Sequence, residues 1–162
     1  MKLFSKRKVK IKTVLTYIAA MIFGLFVALI SELKAETAST IIIKHDLGGS
    51  IKQRIIDINQ LSDKKVIIDG VCASSCTMLL KIACVTNKSK LYFHGPSSQF
   101  FGVGLPKKEF DKWSNVMANY YPNRIKEKFL TEWRYTTVGT IMITGKDAIK
   151  LYGVNKCQTN FF

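Results

Sequence analysis

Residues 66–96, VIIDGVCASSCTMLLKIACVTNKSKLYFHGP, limit what this chain can fold into more than any other stretch. The β-branched run at 66–69 predicts a short buried strand, ended by Gly70. Four small residues follow, Cys72, Ala73, Ser74 and Ser75, and let the backbone turn sharply and approach a neighbour closely. Residues 77–82 suffice for one or two helical turns. An extended apolar pattern returns at 82–85 and 91–93, around a loop at 86–90. The last strand ends on His94, followed by Gly95 and Pro96. A serine on a strand-to-helix turn, with a histidine at a later strand end, can present a nucleophile and its base in an α/β fold.

The flanking sequence supplies the rest of such a fold. Residues 36–40 read as a linker, and a strand starts at 41–43. Asp46-Leu47-Gly48-Gly49-Ser50 reads as a turn in which two glycines let backbone N–H groups face one point. Ile51, Ile55, Ile56, Ile58 and Leu61 recur at helical spacing, which predicts an amphipathic helix over 52–60 capped by Ser50. Strand, helix and strand over 41–68 make one β-α-β unit, with parallel strands and a right-handed crossover. The Gly-Gly loop falls at the carboxyl end of its strand, where α/β sheets carry their sites. Neither phosphate-binding glycine pattern is met. Past His94, residues 97–105 hold Phe100, Phe101, Gly102 and Gly104, a loop or edge strand beside the histidine. Helices are expected over 107–121, 123–134 and 144–153, the last with Thr144 as cap and Asp147 at the third position. The stripes Phe110, Trp113, Met117 and Ile125, Phe129, Trp133 read as core or partner surface rather than a cofactor box.

Four segments in order resemble one family. Gly70-Val-Cys-Ala-Ser74-Ser resembles the G-x-A-A-S-M serine turn of the Clp protease proteolytic subunit. Ala83-Cys-Val-Thr-Asn and Leu91-Tyr-Phe-His94-Gly-Pro resemble its F-C-L-P-N-S-R-x-M-I-H-Q-P stretch. Upstream, His45-Asp-Leu-Gly48-Gly49-Ser-Ile resembles its N-S-P-G-G-x-V loop. Downstream, residues 143–154 resemble its L-S-A-x-E-A-x-x-Y-G-L-V ending, with one extra residue. The resemblance implies a Clp/crotonase-like α/β core over 36–162, with a mainly parallel sheet flanked by helices. It also implies serine-type hydrolysis of a peptide or protein substrate, with no cofactor and no metal.

Ser74 is then the nucleophile and His94 the general base, because a serine hydroxyl attacks well only when a base removes its proton. Backbone N–H groups of Gly48, Gly49 and Ser75 would hold the developing oxyanion; losing one such donor costs about 10²–10³ in rate. The family places an acid just before its final motif. The matching residues here are Thr140-Ile141-Met142, with no carboxylate. Thr140 can hydrogen-bond an imidazole but carries no charge; Asp147, Asp111 or Glu109 are alternative third members. Only 45 residues separate His94 from Thr140, which leaves little room for the family's oligomerising handle, so a large ring is not expected although an oligomer is possible. Two other classes remain open: a non-catalytic envelope binding protein using the same cleft, and an acyl-thioester enzyme of the crotonase type. Neither needs Ser74 or His94.

The N-terminus bears on compartment. Residues 1–35 hold seven basic residues and one acidic residue, and 13–30 is an uncharged apolar run of 18. That is a signal-peptide layout, and as a tilted helix it would also span about 27 Å. Either a cleaved signal or a retained anchor sends the rest of the chain out, to the periplasm or the outer side of the inner membrane. The whole chain is basic, 25 Lys+Arg against 11 Asp+Glu. With no zinc-finger spacing or helix-turn-helix signature, nucleic acid is not an expected partner. Export permits disulfides among Cys72, Cys76, Cys84 and Cys157. Cys72 with Cys84 could staple the serine turn, Cys76 with Cys84 is a near alternative, and Cys157 would join whichever cysteine remains. The spacing lacks a nearby histidine for a zinc site.

Overall fold

The computed structural model describes residues 16–18, 21–22, 39–98, 104–136 and 138–158. The chain separates into two units, Met1–Thr37 and Ala38–Phe162. In the first, the described positions are helical and exposed. The signal or anchor expected at 13–30 otherwise lies outside the described residues, as do Phe100, Phe101 and Gly102. Among the described residues no helix is long and apolar enough to cross a membrane.

The second unit is α/β. Strand β1 (Thr40–Asp46) leads through helix α1 (Ile51–Gln60) to β2 (Lys65–Ala73), then a 3₁₀ segment (Ser74–Lys81), β3 (Ala83–Val85) and β4 (Lys90–Phe93). Helices α2 (Lys107–Ala118) and α3 (Asn123–Thr131), a 3₁₀ turn (Trp133–Tyr135), β5 (Ile141–Thr144) and α4 (Gly145–Tyr152) complete it. The sheet order is β1-β2-β4-β5, with β3 also paired to β2. Strand β2 is parallel to β1, to β3 at its start and to β4 at its end; only β4 and β5 run antiparallel. The expected β-α-β unit and mainly parallel sheet are both present.

Gly70 does not end β2, contrary to the expectation from sequence. The strand runs on to Ala73, because the glycine lets β1 come close: a β-carbon at Gly70 would strike the Lys44 carbonyl. The β1–β2 register shifts between Ile43 and His45, opposite this contact. The strand therefore ends four residues beyond Asp69 and runs directly into Ser74.

The core packs between sheet and helices. Ile68, Met78, Leu79, Leu91, Phe93, Ile125 and Phe129 are all fully buried. Phe93 packs on Trp133 at 5.0 Å and on Tyr121 at 5.5 Å, and Tyr121 meets Phe129 at 5.0 Å. Each such pair adds about 0.5–1.5 kcal/mol beyond the area it buries. This cluster clamps the end of β4, one residue before His94. Ile56, expected on the buried face of α1, is exposed instead.

All four cysteines are bonded, as Cys72–Cys76 and Cys84–Cys157. Neither Cys72–Cys84 nor Cys76–Cys84 forms. Strand register is the reason: Cys84 lies beside Ile67, and Cys72 is five residues farther along β2, about 16 Å away at 3.3 Å per residue. Cys84 instead meets the returning tail, where Val85 N–H donates to the Asn155 carbonyl at 2.9 Å and Cys157 N–H donates to the Val85 carbonyl at 3.0 Å.

Candidate active site

Ser74 sits where β2 passes into the 3₁₀ segment, with φ +56°. Among the described residues it is the only one other than glycine with positive φ. A residue with a β-carbon avoids this region unless its surroundings hold it there. A relay of two hydrogen bonds restrains it. Thr77 Oγ1 donates to the Ser74 carbonyl at 2.7 Å. With the Thr77 proton so placed, the Tyr121 hydroxyl donates to Thr77 Oγ1 at 2.9 Å. Burial also pushes the Tyr121 pKa up, which keeps that hydroxyl protonated. The Cys72–Cys76 disulfide brackets the serine.

The glycine loop meets the same turn. Gly48 has φ +91°, and a β-carbon there would lie 2.7 Å from the Ala73 carbonyl oxygen, 2.7 Å from Ser74 Cβ and 2.9 Å from Ser75 N. Glycine is thus needed twice over, for conformation and for space. The loop is braced by Asp46, whose Oδ1 accepts from Gly48 N–H at 2.8 Å and whose Oδ2 accepts from Arg54 Nη2 at 2.6 Å. The Gly48 N–H is therefore committed to Asp46, while Gly49 lines the cavity in front of Ser74. Ser75 is buried and its Oγ has no hydrogen-bond partner among the described residues. Sequence reasoning missed the Asp46–Arg54 brace; an aspartate two residues before a glycine is the signal for such a turn.

His94 lies just past β4. Its Nδ1 donates to the Gly95 carbonyl at 2.6 Å, since a carbonyl can only accept. In the neutral ring, Nε2 is then the unprotonated nitrogen. Gly95 is held in turn: its N–H donates to the Thr136 carbonyl at 3.1 Å, and a β-carbon on it would strike the Arg134 carbonyl.

Ser74 and His94 line one cavity of about 640 Å³. Gly49 and Ser50 of the glycine loop, Lys52 of α1, and Pro96 and Ser97 past the histidine line it. Trp113 and Met117 of α2, read from sequence as core or partner surface, form apolar lining. Lys52 is exposed and its ammonium lies 5.8 Å from the Trp113 ring centre.

The alternative third members separate by position. Pairing of Phe93 with Ile141 makes Thr140 the next residue across from His94. Asp147 follows Thr144, which pairs with Lys90 at the other end of β4, about 13 Å along the strand from His94. Its carboxylate accepts instead from Thr144 Oγ1 at 2.7 Å. Asp111 accepts from Lys107 and Arg134, and Glu109 faces Lys112 at 3.9 Å.

No protein-family model matches the chain, and no curated protein sequence matches it closely enough to count. Solved structures do resemble it. The 1510-N membrane-bound stomatin-specific protease, a lysine-to-alanine variant in complex with a substrate peptide, superposes with TM-score 0.56 at 18% identity, over 82% of this chain and 66% of that one. This chain thus spans just under two thirds of that protein's length. ClpP1 from Listeria monocytogenes gives 0.52 at 15% identity, over 77% of each chain, and the ClpP catalytic domain from Plasmodium falciparum gives 0.50 at 14% identity, over 86% of this chain and 79% of that one. With the strand order, the serine turn and these likenesses together, the chain has a Clp protease-like fold.

Proposed function

We propose that the chain is an exported serine peptidase that cleaves peptides by acyl transfer through Ser74. The conformation of Ser74 carries the proposal: a serine held at φ +56° at a strand end, opening onto the cavity that His94 lines. In this mechanism His94 Nε2 accepts the Ser74 hydroxyl proton as Oγ bonds to the substrate carbonyl carbon. The oxyanion is held by backbone N–H groups of Gly49 and Ser75. Gly48 shapes the loop rather than donating, because its N–H faces Asp46. The imidazolium returns the proton to the leaving amine, the amide bond breaks, and an acyl-serine ester remains. Water then attacks that ester, again with His94 as base, and releases the acid.

No carboxylate is needed to set the ring tautomer, since the Gly95 carbonyl does so through Nδ1. What a neutral carbonyl lacks is the charge that stabilises the imidazolium, so turnover is expected to be slow; loss of the acid in a serine protease costs about 10⁴. Lys52 lines the same cavity, but it is exposed to water, so the histidine is the base we favour. Export is supported by the two disulfides, which fit an oxidising, extracytoplasmic compartment.

The test is labelling of the oxidised full-length chain by a fluorophosphonate, beside Ser74→Ala, His94→Ala and Lys52→Met. Labelling is expected in the parent and in Lys52→Met, and absent from the other two. Labelling of another residue would remove Ser74 from the mechanism. A folded, unlabelled parent would favour a non-catalytic binding protein.

A further inference from the structure

The Cys72–Cys76 bond stands in an unusual place. It spans four positions with Ser74 at their midpoint, and its Cα atoms are 5.4 Å apart. An extended chain would separate those atoms by about 13 Å, so the bond forces Ala73, Ser74 and Ser75 to reverse within a small ring. Both cysteines are fully buried. Cys72 is fixed on both sides, paired with Asp46 in β1 and with Leu91 in β4. Cys76 is fixed within the buried 3₁₀ segment.

A bond closing so short a loop removes less than half as much freedom from the unfolded chain as one closing 73 positions. The Cys84–Cys157 bond, closing 73 positions, is the one placed to stabilise the fold as a whole. What the short bond does well is local: it narrows the conformations open to the residues it encloses. The bond from the Thr77 hydroxyl to the Ser74 carbonyl and the close approach of Gly48 restrain the same residues, but neither links the two sides of the turn covalently.

We propose that the Cys72–Cys76 disulfide is a positioning element of the site, holding Ser74 in its left-handed conformation with its Oγ toward the cavity and the Ser75 N–H beside the glycine loop. Its conformational part stands on the geometry alone; its effect on rate rests on the peptidase reading.

The experiment compares the full-length oxidised chain with Cys72→Ala/Cys76→Ala and with Cys84→Ala/Cys157→Ala. Selective ¹³C-serine labelling reports the Ser74 Cα and Cβ shifts, which follow φ and ψ whether or not the protein is active. Those shifts are expected to move to extended or right-handed values in the first variant and to stay in the second. The fluorophosphonate rate constant per folded molecule should fall about 10²-fold in the first variant, the scale of a misplaced reacting group, with reversible peptide binding unchanged. Both variants lose stability on any account of the bonds, so the Ser74 shifts decide: a purely structural role would leave them alone in the first variant as in the second. Unchanged Ser74 shifts in the first variant would overturn the proposal. If the alanine pair does not fold, Cys72→Val/Cys76→Ala refills the volume and carries the same readout. An unlabelled parent would sink the peptidase reading, while the shifts would still decide the positioning claim.

Discussion

The two disulfides differ most in what their loss should do to thermal stability. In the chain-entropy account, bridging 73 positions stabilises the fold by about 4.4 kcal/mol, and bridging four by about 1.9 kcal/mol. For a unit of this size, with roughly 4 °C of Tm per kcal/mol, Cys84→Ala/Cys157→Ala should lower Tm by roughly 18 °C and Cys72→Ala/Cys76→Ala by roughly 8 °C. The larger loss has a local reason as well. Strand β3 is three residues long, and the tail is held to it by two backbone hydrogen bonds at Val85. Without the bond those hydrogen bonds face water and the tail can peel away, which hydrogen exchange at Val85 and Cys157 would register. The assay is differential scanning calorimetry of the oxidised full-length chain and both variants. If the short-loop variant lost more Tm than the long-loop one, loop closure would be the wrong account of these bonds.

Three further outcomes are expected. Gly48→Ala should cut fluorophosphonate labelling per folded molecule at least about 10²-fold and also lower Tm, because the new methyl displaces the Ser74–Ser75 backbone from the oxyanion position; normal labelling would dissociate the loop from the site. Hydrogen bonds from Lys44 and Thr86 hold the Asp69 carboxyl below the usual carboxylate range. Folding then gains from its ionisation above about pH 4 and loses that gain as pH falls through the lowered native value, so urea midpoints should fall there, and less steeply in Asp69→Asn. Tyr121→Phe should cost about 1 kcal/mol by denaturant titration and reduce labelling, since it removes the donor behind Thr77; unchanged labelling would show that Ser74 does not depend on this relay.

Much of this arrangement is legible in the sequence. Ser74 is, because four small residues after a β-branched run have few other uses. His94 is, because an apolar strand ending in His-Gly-Pro marks a strand end. What is not legible depends on partners distant in sequence. Gly70 reads as a breaker on its own, and only the approach of Lys44 makes it a strand residue. Cysteine pairing follows from the β2–β3 register, which places Cys84 beside Ile67 and which no local pattern encodes. Of the carboxylates suggested for a triad, Asp111 is engaged partly from a distance, by Arg134 from 23 residues on. The glycine loop meets the serine turn, yet the Gly48 N–H is taken by Asp46, a residue only two positions upstream.

The contact between Gly95 and the Arg134 carbonyl bears on how such a chain can diverge. A side chain at 95 is blocked by backbone, and backbone cannot be swapped for something smaller. The turn at 133–136 therefore acts as a template for the histidine's neighbour, although it supplies no lining residue to the cavity. Drift that shortens or lengthens that turn would be felt at His94 as surely as a change of the histidine itself. In diverged copies of this chain, His94-Gly95 and the spacing of the Trp133–Tyr135 turn should be inherited together or lost together.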